Sequence, residues 1–260
     1  MIAILPAIFW GSIVLFNVKL GGGPYIQTLG TTIGALIFSL VIYIIVQPDL
    51  SPLIFIVGII SGLFWALGQS NQLKSIELMG VSKTMPISTG MQLVSTSLFG
   101  VIVFKEWSTT TSILLGVLAL ILIIVGIILR HSMTTLGYLI YVVIARLINV
   151  DGWAALFPQA IGMFIGGLIL TAKHKPFNMY TIKNILPGSI WAAGNMFLFI
   201  SQPKVGVATS FSLSQMGIVI ATLGGIFILG ENKTKRQLVG ITVGIILIIL
   251  SAILLGLAKA

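Results

Sequence analysis

The chain has 260 residues, of which 57% are hydrophobic and 7% are charged, and its mean hydropathy is +1.16. A soluble domain carries about 25% charged residues, so this composition excludes a soluble globular protein. The formal net charge of +9 does not indicate nucleic-acid binding, because the basic residues are scattered at the ends of apolar stretches rather than clustered on one polar face.

Ten apolar stretches follow one another along the chain, separated by polar residues, glycine or proline, and each predicts a membrane-spanning helix. Because the stretches are continuously apolar, whereas the strands of a membrane barrel alternate, helices are predicted rather than strands. The predicted spans cover residues 2–18, 26–47, 53–73, 83–104, 111–130, 135–149, 153–172, 182–202, 207–229 and 236–258. The expected fold class is an all-α integral membrane protein with ten transmembrane helices.

The two halves of the chain resemble each other. Trp-Ala-Leu-Gly at 65–68 returns as Trp-Ala-Ala-Gly at 191–194, and Ile33-Gly34 returns as Ile161-Gly162. Further matched pairs are Gly80-Val81 with Gly206-Val207, Gly11 with Gly137, Gly100 with Gly225, and Glu106 with Glu231. We therefore predict two five-helix repeats, residues 1–130 and 131–260, in a single membrane domain. Because five is odd, the second repeat is expected to be inverted, as in transporters that bind substrate between their halves.

The distribution of basic residues predicts the orientation in the membrane. Four are expected on the side of the N-terminus: Lys105, Arg146, Lys204 and Lys259. Ten are expected on the opposite side: Lys19, Lys74, Lys83, Arg130, Lys173, Lys175, Lys183, Lys233, Lys235 and Arg236. Since basic connections favour the cytoplasm, both termini are expected outside the cell.

Polar residues inside the spans are concentrated in the first four spans and in the sixth to the ninth. A solute pathway is therefore expected among these eight, while the fifth and tenth spans are expected to face lipid or form a dimer. Trp65, Gln69 and Gln72 share one helix face, as do Trp191 and Asn195 in the matching span. The candidate substrate-binding residues are Trp10, Asn17, Thr31, Trp65, Gln69, Gln72, Ser88, Gln92, Gln159, Trp191, Asn195, Ser214 and Gln215.

These residue types indicate a neutral substrate that is rich in hydroxyl groups. Amides and hydroxyls both donate and accept hydrogen bonds, and indole rings can cover the apolar face of a sugar ring. The alternative is structural, with hydroxyls bonded to backbone carbonyls and amides joining neighbouring helices. Glycines four residues apart, such as Gly58 and Gly62 or Gly162 and Gly166, predict close helix packing.

The residue types that are missing narrow the function further. No Asp or Glu lies clearly in the middle of a predicted span, so the sequence shows neither a site for a cation nor a proton-coupling residue. The chain has no Cys, which excludes disulfides and thiolate metal sites. The sequence also shows no metal-ligand cluster, phosphate-binding loop or nucleophilic triad. We therefore expect no enzymatic activity, no cofactor and no metal.

Three long stretches of the chain resemble a known family. Residues 5–25 (LPAIFWGSIVLFNVKLGGGPY), 64–94 (FWALGQSNQLKSIELMGVSKTMPISTGMQLV) and 201–231 (SQPKVGVATSFSLSQMGIVIATLGGIFILGE) are similar to the bacterial glucose uptake proteins. These proteins form part of the glucose/ribose porter family of the drug/metabolite transporter superfamily. The resemblance covers essentially the whole chain. It implies ten helices in two inverted repeats and uptake of a monosaccharide, with glucose as the first candidate, across the bacterial plasma membrane by alternating access.

The same resemblance implies coupling to protons. The expected partners are therefore a monosaccharide, the lipid bilayer and protons, but no nucleic acid. The connection at residues 130–134 is shorter than the charged linker that the family leads us to expect. Because no coupling carboxylate is found, two alternatives stay open: a facilitative sugar uniporter, and an exporter of another small neutral metabolite.

Overall fold

The structure, a computed structural model, describes residues 2–104, 137–138, 140–141, 144, 151–205 and 213–258. The regular structure within these ranges is helical. The fifth predicted span (111–130), most of the sixth and the first six residues of the ninth (207–212) lie outside the described residues.

The helices are numbered here over the described residues alone. They are α1 (Leu5–Leu20), α2 (Gly23–Val46), α3 (Pro52–Met79), α4 (Val81–Phe104), α5 (Gly152–Thr171), α6 (Met179–Lys183), α7 (Ile185–Val205), α8 (Gly217–Phe227) and α9 (Lys235–Ala258). Within these residues, four helices are long and apolar enough to cross a membrane: Ile2–Leu20, Gly23–Val46, Pro52–Met79 and Gly152–Thr171. The prediction of an all-helical membrane protein with several apolar spans is therefore confirmed.

Polar caps and prolines fix where several helices begin. The Ser51 hydroxyl accepts a hydrogen bond from the Ile54 N–H at 3.2 Å, and the Asp151 carboxylate accepts one from the Ala154 N–H at 3.0 Å. The predicted span 182–202 is in fact two helices, α6 and α7, which meet at Asn184. Pro187 accounts for the break, because it has no N–H to donate to the carbonyl four residues earlier.

Helices α2 and α5, which carry the matched Ile-Gly pairs, run in opposite directions. Near one end of the pair, Tyr43 stacks on Phe157 with ring centroids 5.1 Å apart. At the other end, the Thr171 hydroxyl reaches the carbonyl oxygen of Tyr25 at 3.4 Å. As residue numbers rise along α2 they fall along α5, so these two matched helices are antiparallel.

Glycines let the two halves pack backbone against backbone. A Cβ on Gly62 of α3 would lie 2.0 Å from the carbonyl oxygen of Gln159 on α5. A Cβ on Gly188 of α7 would lie 1.9 Å from the carbonyl oxygen of Thr31 on α2. The close packing predicted from glycine spacing is therefore present. The two contacts are also equivalent under the repeat, because Gly62 matches Gly188 and Gln159 matches Thr31.

Most of the basic residues gather at one end of the helix bundle, called here the basic end. Contacts there join the start of α2 to the end of α3 and to the connection after α5. Tyr25 stacks on His174 with centroids 4.1 Å apart, and the Lys74 Nζ lies 4.4 Å from the centre of the Tyr25 ring. The basic residues at this end are Lys19, Lys74, Lys83, Lys173, Lys175, Lys183, Lys233, Lys235 and Arg236.

Candidate functional site

Two tryptophans from the matched tetrapeptides meet in the core of the bundle. Trp65 lies near the middle of α3 and Trp191 in α7, and their ring centroids are 5.4 Å apart in an edge-on arrangement. Both side chains are buried, at 3% and 4% exposure. The Trp191 carbonyl oxygen accepts hydrogen bonds from the Trp10 Nε1 at 3.2 Å and the Asn195 Nδ2 at 3.0 Å. Four of the predicted site residues are therefore in one place.

Amides lie beside the tryptophans, and those of Gln69 and Gln72 are buried. The Gln72 Nε2 donates to the Ser88 hydroxyl at 2.7 Å, and the Gln92 Nε2 reaches the same hydroxyl at 3.1 Å, which joins α3 to α4. The Tyr138 hydroxyl lies within hydrogen-bond distance of the Oε1 atoms of both Gln69 and Gln72. We call Trp65, Gln69, Gln72, Ser88, Tyr138 and Trp191 the central cluster.

Tyr138 was not among the predicted site residues. Its ring is edge-on to Trp65, with centroids 6.4 Å apart, and its side chain is buried at 7% exposure. It follows Gly137, which the repeat matches to Gly11, so the equivalent position in the first half is Ser12. Because Ser12 is not aromatic, comparison of the two repeats could not identify Tyr138 as a site residue. Tyr138 lies next to Gln69 and Gln72 only in the folded protein.

The hydrogen bonds of the central cluster are incomplete. The Tyr138 hydroxyl has one hydrogen but two glutamine oxygens within reach, so one amide oxygen lacks a donor at any moment. The Gln69 Nε2 is buried and has no hydrogen-bond partner among the residues that the structure describes. Each unpaired buried group costs about 1–3 kcal/mol. One bound hydroxyl group, which both donates and accepts, would satisfy both atoms.

Two predicted site residues, Asn17 and Thr31, belong to a separate group nearer the basic end. The Asn17 Nδ2 lies 3.0 Å from the Thr31 hydroxyl and 3.1 Å from the Asn184 Oδ1, and the Gln27 Nε2 donates to the Asn17 carbonyl at 2.9 Å. We call Asn17, Gln27, Thr31 and Asn184 the α1–α2–α7 polar cluster. All four side chains are buried. Their bonds join α1 and α2 to the junction of α6 and α7, as the structural alternative expects.

The remaining predicted site residues lie elsewhere in the bundle. The Gln159 Nε2 donates to the Ser61 hydroxyl at 2.9 Å, and that hydroxyl donates to the Tyr141 carbonyl at 2.9 Å. This chain of bonds ties α5 to α3. Ser214 and Gln215 precede α8, and the Gln215 Nε2 lies 3.3 Å from the Ser214 hydroxyl.

The described helices hold no carboxylate near their middles. The acidic residues that the structure describes, Asp49, Glu77, Asp151 and Glu231, lie at helix ends or in connections. No group of three metal-ligating side chains occurs among the described residues. The central cluster therefore combines aromatic faces with neutral hydrogen-bonding groups, which suits an uncharged, hydroxylated solute better than an ion.

Comparison with known proteins identifies a family. A family model described as "Sugar transport protein" matches residues 1–133 and 130–258. The family model matches the chain twice, with an overlap at residues 130–133, which indicates a duplicated repeat.

Similar proteins match over their full lengths. The "Glucose uptake protein GlcU" of Bacillus subtilis (strain 168) is 72% identical, and the alignment covers 100% of this chain and 98% of that relative. The "Probable glucose uptake protein GlcU" of Priestia megaterium is 73% identical, with coverages of 100% and 99%. A "Putative sugar uptake protein" of Bacillus cereus (strain ATCC 10987 / NRS 248) is 56% identical, with the same coverages.

A solved crystal structure shares the overall fold. It is 14% identical in sequence and has a TM-score of 0.59, and the match covers 97% of this chain and 94% of the other. At that identity the likeness supports the fold alone. The alignment with the Bacillus subtilis protein spans 281 positions against the 260 residues of this chain. The chain is therefore shorter than that relative.

Proposed function

This chain belongs to the Sugar transport protein family, and from that premise we propose that it takes up a monosaccharide, glucose first among them, across the bacterial plasma membrane. The family is one of transporters, so the chain is not an enzyme. The names of the similar proteins support glucose as the substrate.

The observation that carries the sugar assignment is the incomplete hydrogen bonding of the central cluster. The Gln69 Nε2 needs an acceptor, and an Oε1 of Gln69 or Gln72 needs a donor. A sugar hydroxyl meets both needs, while Trp65 and Trp191 offer apolar surfaces to the ring. Binding would place the sugar among α3, α4 and α7, with Ser88, Gln92 and Asn195 at its edges.

The proposed fold has ten spans in two inverted repeats, residues 1–130 and 131–260. In this fold the sugar site lies between the two repeats. The antiparallel course of α2 and α5 supports the inversion, and so does the equivalence of the Gly62 and Gly188 contacts. In such a plan the halves rock around a fixed central site, which opens to one side of the membrane at a time. The sugar would therefore move by alternating access.

Two modes of energy coupling fit this arrangement. The family resemblance implies proton symport, whereas the lack of a carboxylate near the middle of a described helix favours facilitated diffusion. Uptake of labelled glucose into proteoliposomes, with and without an inward proton gradient, separates them. Accumulation only with the gradient identifies a symporter, and equilibration that ignores the gradient identifies a uniporter.

The same proteoliposomes test the substrate class. Counterflow driven by glucose or ribose supports the sugar assignment. Counterflow driven by amino acids but by no sugar would overturn it in favour of the exporter.

A further inference from the structure

A carboxylate from the second half of the chain binds the start of a helix from the first half. Glu231 lies just beyond α8, and its side chain accepts hydrogen bonds from the backbone N–H of Val81 and from the N–H and hydroxyl of Ser82. The Ser82 N–H bond measures 3.1 Å. These donors belong to the first turn of α4, whose free N–H groups and positive dipole end favour an anion.

The residues around this contact are arranged to admit the carboxylate. Gly80 has a φ of +85°, and a Cβ there would lie 2.7 Å from a Glu231 oxygen. On the other side, Gly230 has a φ of +70°, and the Glu231 N–H bonds the carbonyl of Gly225 at 3.1 Å. The Glu231 carboxylate therefore packs directly against Gly80, and a side chain at Gly80 would force the carboxylate to move.

Charge keeps the contact intact at neutral pH. Burial raises the pKa of the Glu231 carboxyl, but the hydrogen bonds from Ser82 and Val81, together with Lys233, outweigh it and hold the pKa below its ordinary value. The Lys233 Nζ lies 3.2 Å from the Glu231 Oε2. The carboxylate is ionised at neutral pH and joins the two halves at the basic end.

The inverted repeat relates this contact to a second pair of matching residues. Helix α4 and the ninth predicted span are repeat mates, and within the described residues Glu231 joins them at the basic end. In the sequence, Glu231 matches Glu106 of the first repeat, and Gly80-Val81 matches Gly206-Val207 of the second repeat. Glu106 and Gly206-Val207 lie outside the described residues. In an inverted repeat, matched positions fall at opposite ends of the bundle. The chain thus carries the same acid and target for either end.

We propose that Glu231 is a positioning residue for the transport cycle: it holds the basic end closed by binding the start of α4, and it releases α4 when the central cluster opens to that end. This role rests on the alternating-access mechanism proposed above, in which contacts at one end must break while those at the other form. Removing the carboxylate therefore shifts the population toward the state open at the basic end.

The chain contains no Cys, so one introduced thiol reports access without interference. Thr84→Cys places it on α4 one turn inside the contact, at a position that is 1% exposed. A membrane-impermeant maleimide is applied to the purified protein in proteoliposomes sorted by orientation, without sugar, so that substrate identity does not enter. Glu231→Gln is compared with Glu77→Gln, which neutralises an exposed carboxylate at the same end.

Glu231→Gln is expected to raise the rate of labelling from the basic end about tenfold, since charge-assisted hydrogen bonds are lost, and to lower labelling from the opposite end. Glu77→Gln is expected to leave both rates unchanged. Unchanged labelling from the basic end, or an equal rise from both ends, would overturn the proposal in favour of a purely structural cap. If Glu231→Gln fails to fold, Ser82→Ala removes the hydroxyl hydrogen bond to the carboxylate while leaving the backbone N–H bonds in place, and it must show the same bias, although a smaller one. Glucose uptake by the unmodified chain tests the transport assignment separately.

Discussion

The nitrogen of the Gln69 amide differs from the nitrogens of Gln27 and Gln159 in its hydrogen bonding. The Gln69 Nε2 has no partner among the described residues, whereas those of Gln27 and Gln159 bond to neighbouring helices. Sequence reasoning grouped Gln69 and Gln159 as one kind of candidate, because residue type and approximate depth in the membrane were all it had. The three-dimensional pairing separates an amide that holds helices together from one whose nitrogen bonds to no described neighbour.

Removal of the Tyr138 hydroxyl is expected to destabilise the protein. Tyr138→Phe leaves a second glutamine oxygen without a donor, which costs about 1–3 kcal/mol of stability in the sugar-free protein. The melting temperature of the purified protein, followed by intrinsic fluorescence, is expected to fall. Tyr141→Phe is the matched control, since Tyr141 accepts a hydrogen bond from the Ser61 hydroxyl through its backbone carbonyl, which the substitution retains. Equal melting temperatures for the two variants would contradict the role assigned to the Tyr138 hydroxyl.

Helical periodicity predicted which residues share a face within one helix, but not which helices meet. It correctly placed Trp65, Gln69 and Gln72 on one side of α3, because that depends on spacing alone. It missed Tyr138, because contact between α3 and the sixth span depends on long-range packing. Helix ends were predicted to within a few residues for α2 and α4, while the break at Asn184 depends on Pro187 and was missed.

Two helix contacts, that of α3 with α5 and that of α7 with α2, have the same kind of backbone packing. In each, a glycine lies against a backbone carbonyl with no space for a side chain. Such packing gains dispersion contacts that lipid cannot supply, which is why small residues mark helix interfaces in membranes. The repeated contact therefore fixes how the two halves sit against each other.

Gly62→Ala and Gly188→Ala are each expected to destabilise the protein by about 1–3 kcal/mol, as overpacked interiors do. The two variants should behave alike, because the contacts are equivalent under the repeat. Gly240→Ala is the control, since a Cβ there meets no atom within 4 Å. Thermal unfolding in detergent measures the effect. A normal melting temperature for either core variant would show that the helices can separate at little cost.

For the whole molecule, the comparisons confirm the family resemblance that three sequence stretches indicated. Composition was sufficient to predict a membrane protein, and the internal matches predicted a duplicated plan. The antiparallel course of the matched helices α2 and α5 agrees with the predicted inversion, and the basic residues gathered at one end are those that the sequence placed on one side. The structure adds the contacts that bring these helix ends together, which the sequence could not give.

The basic end is expected to face the cytoplasm. Because the chain has no Cys, Asn232→Cys reports on the basic end and Asp49→Cys on the opposite end, both at exposed positions. On intact cells an impermeant maleimide should label Asp49→Cys at once and Asn232→Cys only after permeabilisation. The reverse pattern would place both termini inside.

Glucose binding to the purified protein tests the central cluster most directly. Isothermal titration of the unmodified chain, Gln69→Ala and the control Gln237→Ala compares an unpartnered buried amide with one at the basic end. Loss of a hydrogen bond to the sugar is expected to weaken the affinity of Gln69→Ala at least about tenfold, which corresponds to about 1.4 kcal/mol, with Gln237→Ala unchanged. Equal affinity for all three proteins would contradict a sugar site at the central cluster.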